Sequence, residues 1–218
     1  SFDHLLYGLS AGKRGVVGSD SYCLSRDAIE VFNAYAAEGS DLPFLLGHSM
    51  GGLVVMHAVA QLGLRPRGLI ASSPALASHA GVFDRLLSKL LLHVAPDLTV
   101  ANGLPADKLS HAEDIERAYL DDPLNHNRIS ARLARYIFDA GPQVIAAAPR
   151  WTIPTLLQIA GSDQLVDPNG ARTFARVAPD EAVEFHDYTG LYHEIYNEAE
   201  PARSTVVNDL MMWFNTRL

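Results

Sequence analysis

The sequence predicts an α/β fold: a mostly parallel sheet flanked by helices, with a helical cap inserted between two of its strands. Three observations predict it. Short continuous apolar runs, the pattern of strands buried on both faces, alternate with helical stretches. The first run, "LPFLL" at Leu42–Leu46, passes through "GHSMGG" straight into the apolar stretch "LVVMHAVA". Residues 77–150, between the second and third strands, carry helical periodicity throughout. The expected organisation is a core of residues 1–76 and 151–218 and a cap of residues 77–150.

Taken in order, "RDAIEVFNAYAAE" (Arg26–Glu38) reads as a helix with Ile29, Phe32 and Ala36 on one face, ended by Gly39. A strand through "LPFLLGHS" follows, then a helix running to Leu62 with Gly63 as its stop. "GLIASSPAL" (Gly68–Leu76) is the second strand. In the insertion, "VFDRLLSKLLLHVA" repeats apolar residues at 83, 86, 87, 90, 91 and 94. "SHAE" at Ser110–Glu113 has the form of a capping box. "ISARLARYIFDAG" (Ile129–Gly141) reads as a helix closed by its glycine. Thr155–Ala160 is the third strand, and Asp167-Pro168 reads as a helix cap followed by proline in the first turn. "AVEFHDY" (Ala182–Tyr188) is an alternating fourth strand. The last helix should place Val206, Val207, Leu210, Met211 and Phe214 on one face.

Bulk properties narrow the function classes. The chain has 218 residues, 48% hydrophobic and 19% charged, with a formal net charge of −8. An acidic chain without a basic run is a poor partner for nucleic acid or anionic lipid. Cys23 is the one cysteine, so no intramolecular disulfide can form, which suits the cytoplasm. Ser1–Gly12 has neither the basic start nor the apolar run of a secretory leader. Leu42–Leu64 lacks charged side chains, but Pro43 and the glycines break it into a buried strand and a buried helix. The histidines are too scattered for a metal motif, and neither a metal nor another cofactor is expected.

The serine between the glycines carries the chemistry. G-x-S-x-G after a strand and before a helix is a nucleophile elbow. Gly47 and Gly51 are expected to let the backbones cross closely, lifting the Ser49 hydroxyl above the carboxyl end of the sheet. The Met50 N–H then faces a developing oxyanion. A serine hydroxyl needs a histidine base, and that histidine needs a carboxylate. In this fold they follow in the order Ser, acid, His. Asp163 in "AGSD" and His193 in "GLYHEIYNE" stand where the order requires them. Asp167 competes for the acid, but its proline neighbour explains it as a helix cap. His186 competes for the base, but it lies inside the alternating strand. His48 is read as orienting locally and His57 as packing.

Together "LLGHSMGG", "SSPAL", "DPL" at Asp122–Leu124, "ISARL", "AGSDQLVDP" and "GLYHEIYNE" resemble bacterial monoacylglycerol lipases of the α/β-hydrolase superfamily, from about Leu42 to Leu218. The resemblance implies an α/β-hydrolase fold with nucleophile Ser49, acid Asp163 and base His193. It implies hydrolysis of a monoacylglycerol through an acyl-enzyme. A short-chain carboxylesterase or lysophospholipase would use the same triad, and a non-catalytic hydrolase-like binding protein is the reading from another class. Leu86, Leu87, Leu90 and Leu91 of the cap are candidates for the acyl tunnel, or serve only to hold the cap to the core.

The N-terminal stretch departs from the family pattern. A His-Gly loop normally supplies a second oxyanion N–H, and no His-Gly dipeptide precedes Ser49. "SFDHL" is similar to the segment after that loop and "YGLSAGKRG" to a later glycine-rich region. Between them, around Leu5–Leu6, a strand and a helix are missing. Leu42–Leu46 is then expected at a bare apolar sheet edge, which proteins avoid. The expectation is a cover: a partner subunit in a homo-oligomer, a rearranged N-terminal segment, or further chain. Transient membrane contact through the cap, with peripheral association, is the remaining partner reading.

Overall fold

The structure is a computed structural model describing residues 8–18, 20, 22–39 and 41–218, with the backbone alone for residues 82–85. The readings around Ser1–Leu6 lie outside the described residues. Helix α1 (Cys23–Ala36) leads to strand β1 (Phe44–His48), which turns at once into α2 (Met50–Leu62). Gly63, at φ 73°, ends α2 in the left-handed conformation that a glycine adopts without strain. Strand β2 (Gly68–Ser72) follows. The segment expected as a cap holds α3 (Val82–Val94), β3 (Thr99–Ala101), α4 (Glu113–Asp121), β4 (Arg128–Ser130) and α5 (Ala131–Ala147). The chain then forms β5 (Thr155–Ala160), α6 (Asn169–Val177), β6 (Val183–Tyr188) and α7 (Ala202–Asn215).

Four strands form one parallel sheet in the order β1-β2-β5-β6. The two-residue side-chain period sorts its core. Leu69, Ala71, Leu157 and Ile159 join the large apolar cluster under α1, α2, α5 and α6. Ile70, Leu156 and Ala160 point to the other face, where Val206 and Trp213 of α7 cover them. Buried on both faces, β2 and β5 are apolar nearly throughout. Among the described residues strand β1 ends the sheet, with Leu42 and Leu46 about half exposed. Among the described residues no helix is long and apolar enough to cross a membrane.

Several local expectations need correction. Gly141 does not close its helix: α5 runs on through Gly141 and Pro142. The glycine serves a close crossing instead, because a Cβ there would lie 2.1 Å from the Leu76 carbonyl oxygen at the exit from β2. Leu133, Tyr136, Ala140 and Val144 of α5 belong to the main core, so this half of the inserted segment packs on α2. The true cap at its start is Ser130, whose hydroxyl accepts the Leu133 N–H at 3.2 Å.

Ser110 is not the cap of a capping box either. Helix α4 starts at Glu113, and the Ser110 hydroxyl reaches the Asn197 carbonyl at 2.9 Å. On α7 the buried side is Val206 and Trp213 with Leu210 and Phe214 against it, while Val207 and Met211 are exposed. The antiparallel pair β3–β4 was not legible in the sequence; three-residue strands leave too little periodicity to read.

The crossing at Gly141 is checkable. Gly141→Ala should cost about 1–3 kcal/mol or more by forcing α5 from Leu76, read by urea unfolding; an unchanged midpoint would contradict the close approach.

Candidate active site

The elbow is built by backbone crossing. Ser49 sits at φ 54°, ψ −121°, a conformation a non-glycine residue adopts only under strain of order 1–3 kcal/mol. It is held there from both sides. Its N–H donates to Ser72 O at 2.9 Å, continuing the sheet, and its carbonyl accepts from Leu53 N and Ala75 N at 3.1 Å. A Cβ on Gly47 would lie 2.5 Å from Gly51 O, and one on Gly52 would lie 2.9 Å from the Pro74 Cβ and 3.1 Å from Gly47 O. A Cβ on Gly51 would meet nothing within 4 Å. The crossing therefore needs Gly47 and Gly52, and the expectation for Gly51 is corrected: strand and helix touch through its carbonyl, while its side-chain direction is open. Met50 opens α2, so its N–H lies at the positive end of that helix.

His193 and Asp163 form a buried pair. Nδ1 of His193 donates to Asp163 Oδ2 at 2.6 Å, with the two side chains 3% and 1% exposed. The other carboxylate oxygen, Oδ1, accepts the N–H groups of Leu165 and Val166 at 2.8 and 3.0 Å. Asp163 is thus oriented by its own loop. Asp167 instead accepts the Asn169 N–H at 3.0 Å at the start of α6, in keeping with a capping role. His186 lies on β6, with Glu184 at 3.1 Å and Asp209 at 3.4 Å. His57 is buried under α1, bonded to Ser25 at 2.9 Å and Gln143 at 3.2 Å.

His48 ties the elbow to the histidine loop. Its Nδ1 meets Ser72 Oγ at 3.0 Å and its Nε2 meets Glu194 Oε1 at 3.1 Å. Its ring centroid lies 4.8 Å from that of His193. The structure thus brings the Ser49 elbow, His193 and Asp163 to one place at the carboxyl end of the sheet. Glu194 was not singled out in the sequence; its place beside His193 in "YHE" was the available signal. Burial pushes its carboxyl up, but the hydrogen bond and charge of His48, with the charge of His193 and the amide of Asn197, outweigh this and hold it at about 2.

Ser49 and Met50 line a cavity of about 720 Å³. Its walls include Leu87, Leu91, Leu98 and Leu104 from the inserted segment and Ile137 and Phe138 from α5. Of the four leucines expected in an acyl tunnel, Leu87 and Leu91 are in this wall. Leu86 and Leu90 are not: they turn outward, 58% and 62% exposed. One helical face cannot aim all four inward, since 86 and 90 sit one position away from 87 and 91.

A parallel sheet with a strained serine at a strand-to-helix elbow and a buried Asp–His pair defines an α/β-hydrolase. The family model Hydrolase_4, described as serine aminopeptidase, S33, matches residues 1–200, and the chain belongs to this family. It is 32% identical to the monoacylglycerol lipase of Mycolicibacterium smegmatis, covering all of this chain and 78% of that one. It is 30% identical to the monoglyceride lipase of Rattus norvegicus, covering 99% and 72%. The crystal structure of Paleococcus ferrophilus monoacylglycerol lipase superposes with a TM-score of 0.89 at 30% identity, covering 100% of this chain and 83% of that one.

Two measurements check the site. Gly47→Ala and Gly52→Ala should each lose about 1–3 kcal/mol or more, whereas Gly51→Ala should leave stability unchanged or raise it by up to about 1 kcal/mol; equal losses at all three would contradict the crossing. Glu194 gives an acid signature. A carboxyl held at about 2 in the fold, against an ordinary 4.5, stabilises fully above the ordinary value. That stability drains away as pH falls between the two. The gap in unfolding free energy between the wild type and Glu194→Gln should therefore shrink as pH falls below about 4.5; a constant gap would remove the His48–Glu194 pairing.

Proposed function

We propose that this chain is a serine ester hydrolase that cleaves monoacylglycerols to fatty acid and glycerol. The observation that carries the reading is Ser49 held under strain on the floor of an apolar-walled cavity of about 720 Å³, within the size range of small-molecule sites. The named lipases that the chain resembles over nearly its whole length support the substrate class.

In this reading Nε2 of His193 takes the Ser49 proton as Oγ attacks the ester carbonyl carbon. Asp163 holds Nδ1–H, which leaves Nε2 as the basic nitrogen, and stabilises the imidazolium without taking its proton. The Met50 N–H donates to the oxyanion of the tetrahedral intermediate. His193 then gives its proton to the departing glycerol oxygen, leaving the acyl group on Ser49. A water deprotonated by His193 attacks the acyl carbonyl, and Ser49 leaves with the proton restored. The acyl chain lies along Leu87, Leu91 and Phe138.

Hydrolysis of 1-monoacylglycerols of graded chain length tests this beside p-nitrophenyl butyrate, a lysophospholipid and an amino-acid p-nitroanilide. Medium- or long-chain monoacylglycerol should turn over best. Ser49→Ala should abolish turnover, and Asp163→Asn should lower kcat about 10⁴-fold by setting the wrong histidine tautomer. Preference for the lysophospholipid, the short ester or the anilide would reassign the substrate. No difference between wild type and Ser49→Ala on any of them would leave a binding protein.

A further inference from the structure

The capping-box residues that cap no helix have another role. Leu109, Ser110 and His111 run alongside the loop that carries His193, and the two are joined at successive points. Glu194 N donates to Leu109 O at 2.8 Å, and Ser110 Oγ donates to Asn197 O at 2.9 Å. The His111 ring stacks on Tyr192 at a centroid distance of 3.8 Å. At the centre is Glu198, whose side chain is 1% exposed. Its Oε1 accepts the Tyr192 N–H at 2.7 Å and His111 Nδ1 at 2.9 Å. Its Oε2 accepts the His111 N–H at 3.0 Å and the Ala199 N–H at 3.3 Å.

A buried carboxylate costs free energy unless donors surround it, and here five do, the fifth being Ser110 Oγ at 3.4 Å from Oε2. Burial pushes the Glu198 carboxyl up, but the bonds from Tyr192 and His111 outweigh it and keep it below the ordinary range. The group is therefore an anion at neutral pH. Tyr192 is the residue before His193, so the Tyr192 N–H bond acts one peptide from the imidazole. On the other side His193 O accepts Ser73 Oγ at 3.0 Å, where β2 ends. The histidine backbone is thus clamped between the sheet and Glu198.

We propose that Glu198 is a positioning residue for His193, acting through the Tyr192 N–H, with the 109–111 stretch of the inserted segment as its second anchor. The inference rests on the reading of His193 as the base. It makes the inserted segment part of what aligns the catalytic histidine, besides forming the wall of the cavity. Reach and angle at the base matter because small misplacements of a reacting group are costly in rate.

Glu198→Gln tests it. A carboxamide keeps the shape but turns its NH2 toward donors on one side, so either the Tyr192 side or the Ala199 side is broken. Three quantities are read together: steady-state kinetics on p-nitrophenyl butyrate, thermal unfolding, and the far-downfield proton resonance of His193 Nδ1–H, assigned by its loss in His193→Ala. The expected result is kcat lower by about 10- to 100-fold with KM within about twofold, and a shifted or broadened resonance. His111→Phe keeps the ring on Tyr192 and removes only the Nδ1 donor; it should move the same resonance, and it carries the test if Glu198→Gln does not fold. A resonance and kcat that stay at their wild-type values in both Glu198→Gln and His111→Phe, whether or not the unfolding temperature falls, would overturn the proposal and leave Glu198 a structural anchor. Failure of the wild type to hydrolyse any ester would instead defeat the hydrolase reading, and the resonance would still report whether Glu198 sets the histidine.

Discussion

The candidate active site depends on a close crossing of two backbones. Strand β1 and helix α2 cross with Gly47 so near Gly51 O that a side chain would stand 2.5 Å from it. That crossing forces Ser49 to positive φ and delivers its side chain to the end of the sheet rather than to either face. The rest of the fold has to tolerate this. The end of β2 supplies an acceptor to Ser49 N and, three residues on, the Ala75 N–H binds Ser49 O, so the strained residue is bonded at two points to the chain leaving β2 besides its own helix. Burial of α2 under α1 and α5 then keeps the helix from relaxing away. Apolar burial of this kind is large enough to hold local strain of a few kcal/mol.

The histidine side of the site is organised differently. Asp163 is oriented by backbone N–H groups from its own loop, a local device. The His193 loop is oriented by distant chain: Ser73 from the end of β2, His48 from the elbow through Glu194, and residues 109–111 through Glu198. The Ser49 elbow and the His193 loop are therefore joined through the His48–Glu194 contact.

Much of this was legible in the sequence. The four sheet strands, the elbow, and the two residues that meet as the buried Asp163–His193 pair could be singled out because each depends on local pattern. Apolar runs mark strands buried on both faces, and the serine between glycines has a local steric meaning. The misread positions share one property. Gly141, Gly51, Ser110 and Val207 all carry residue types with a strong local meaning, and each was assigned that meaning. Gly141 has the form of a helix stop and is a crossing point. Ser110 has the form of a cap and is a fastener to Asn197. Glu198, which no local rule marks, holds more donors than any of them.

By itself the sequence determined the four sheet strands, the elbow and their order, and it singled out Ser49, Asp163 and His193. These follow from periodicity, turn residues and ionisable groups, which act over a few residues. Only the tertiary structure decided which glycines carry the crossings, that α5 belongs to the main core, and which leucines line the cavity. It also decided that residues 109–111 grip the loop of His193. Each of these depends on what lies within about 3–4 Å across the fold, and that distance is set by how helices and sheet pack, not by neighbours along the chain.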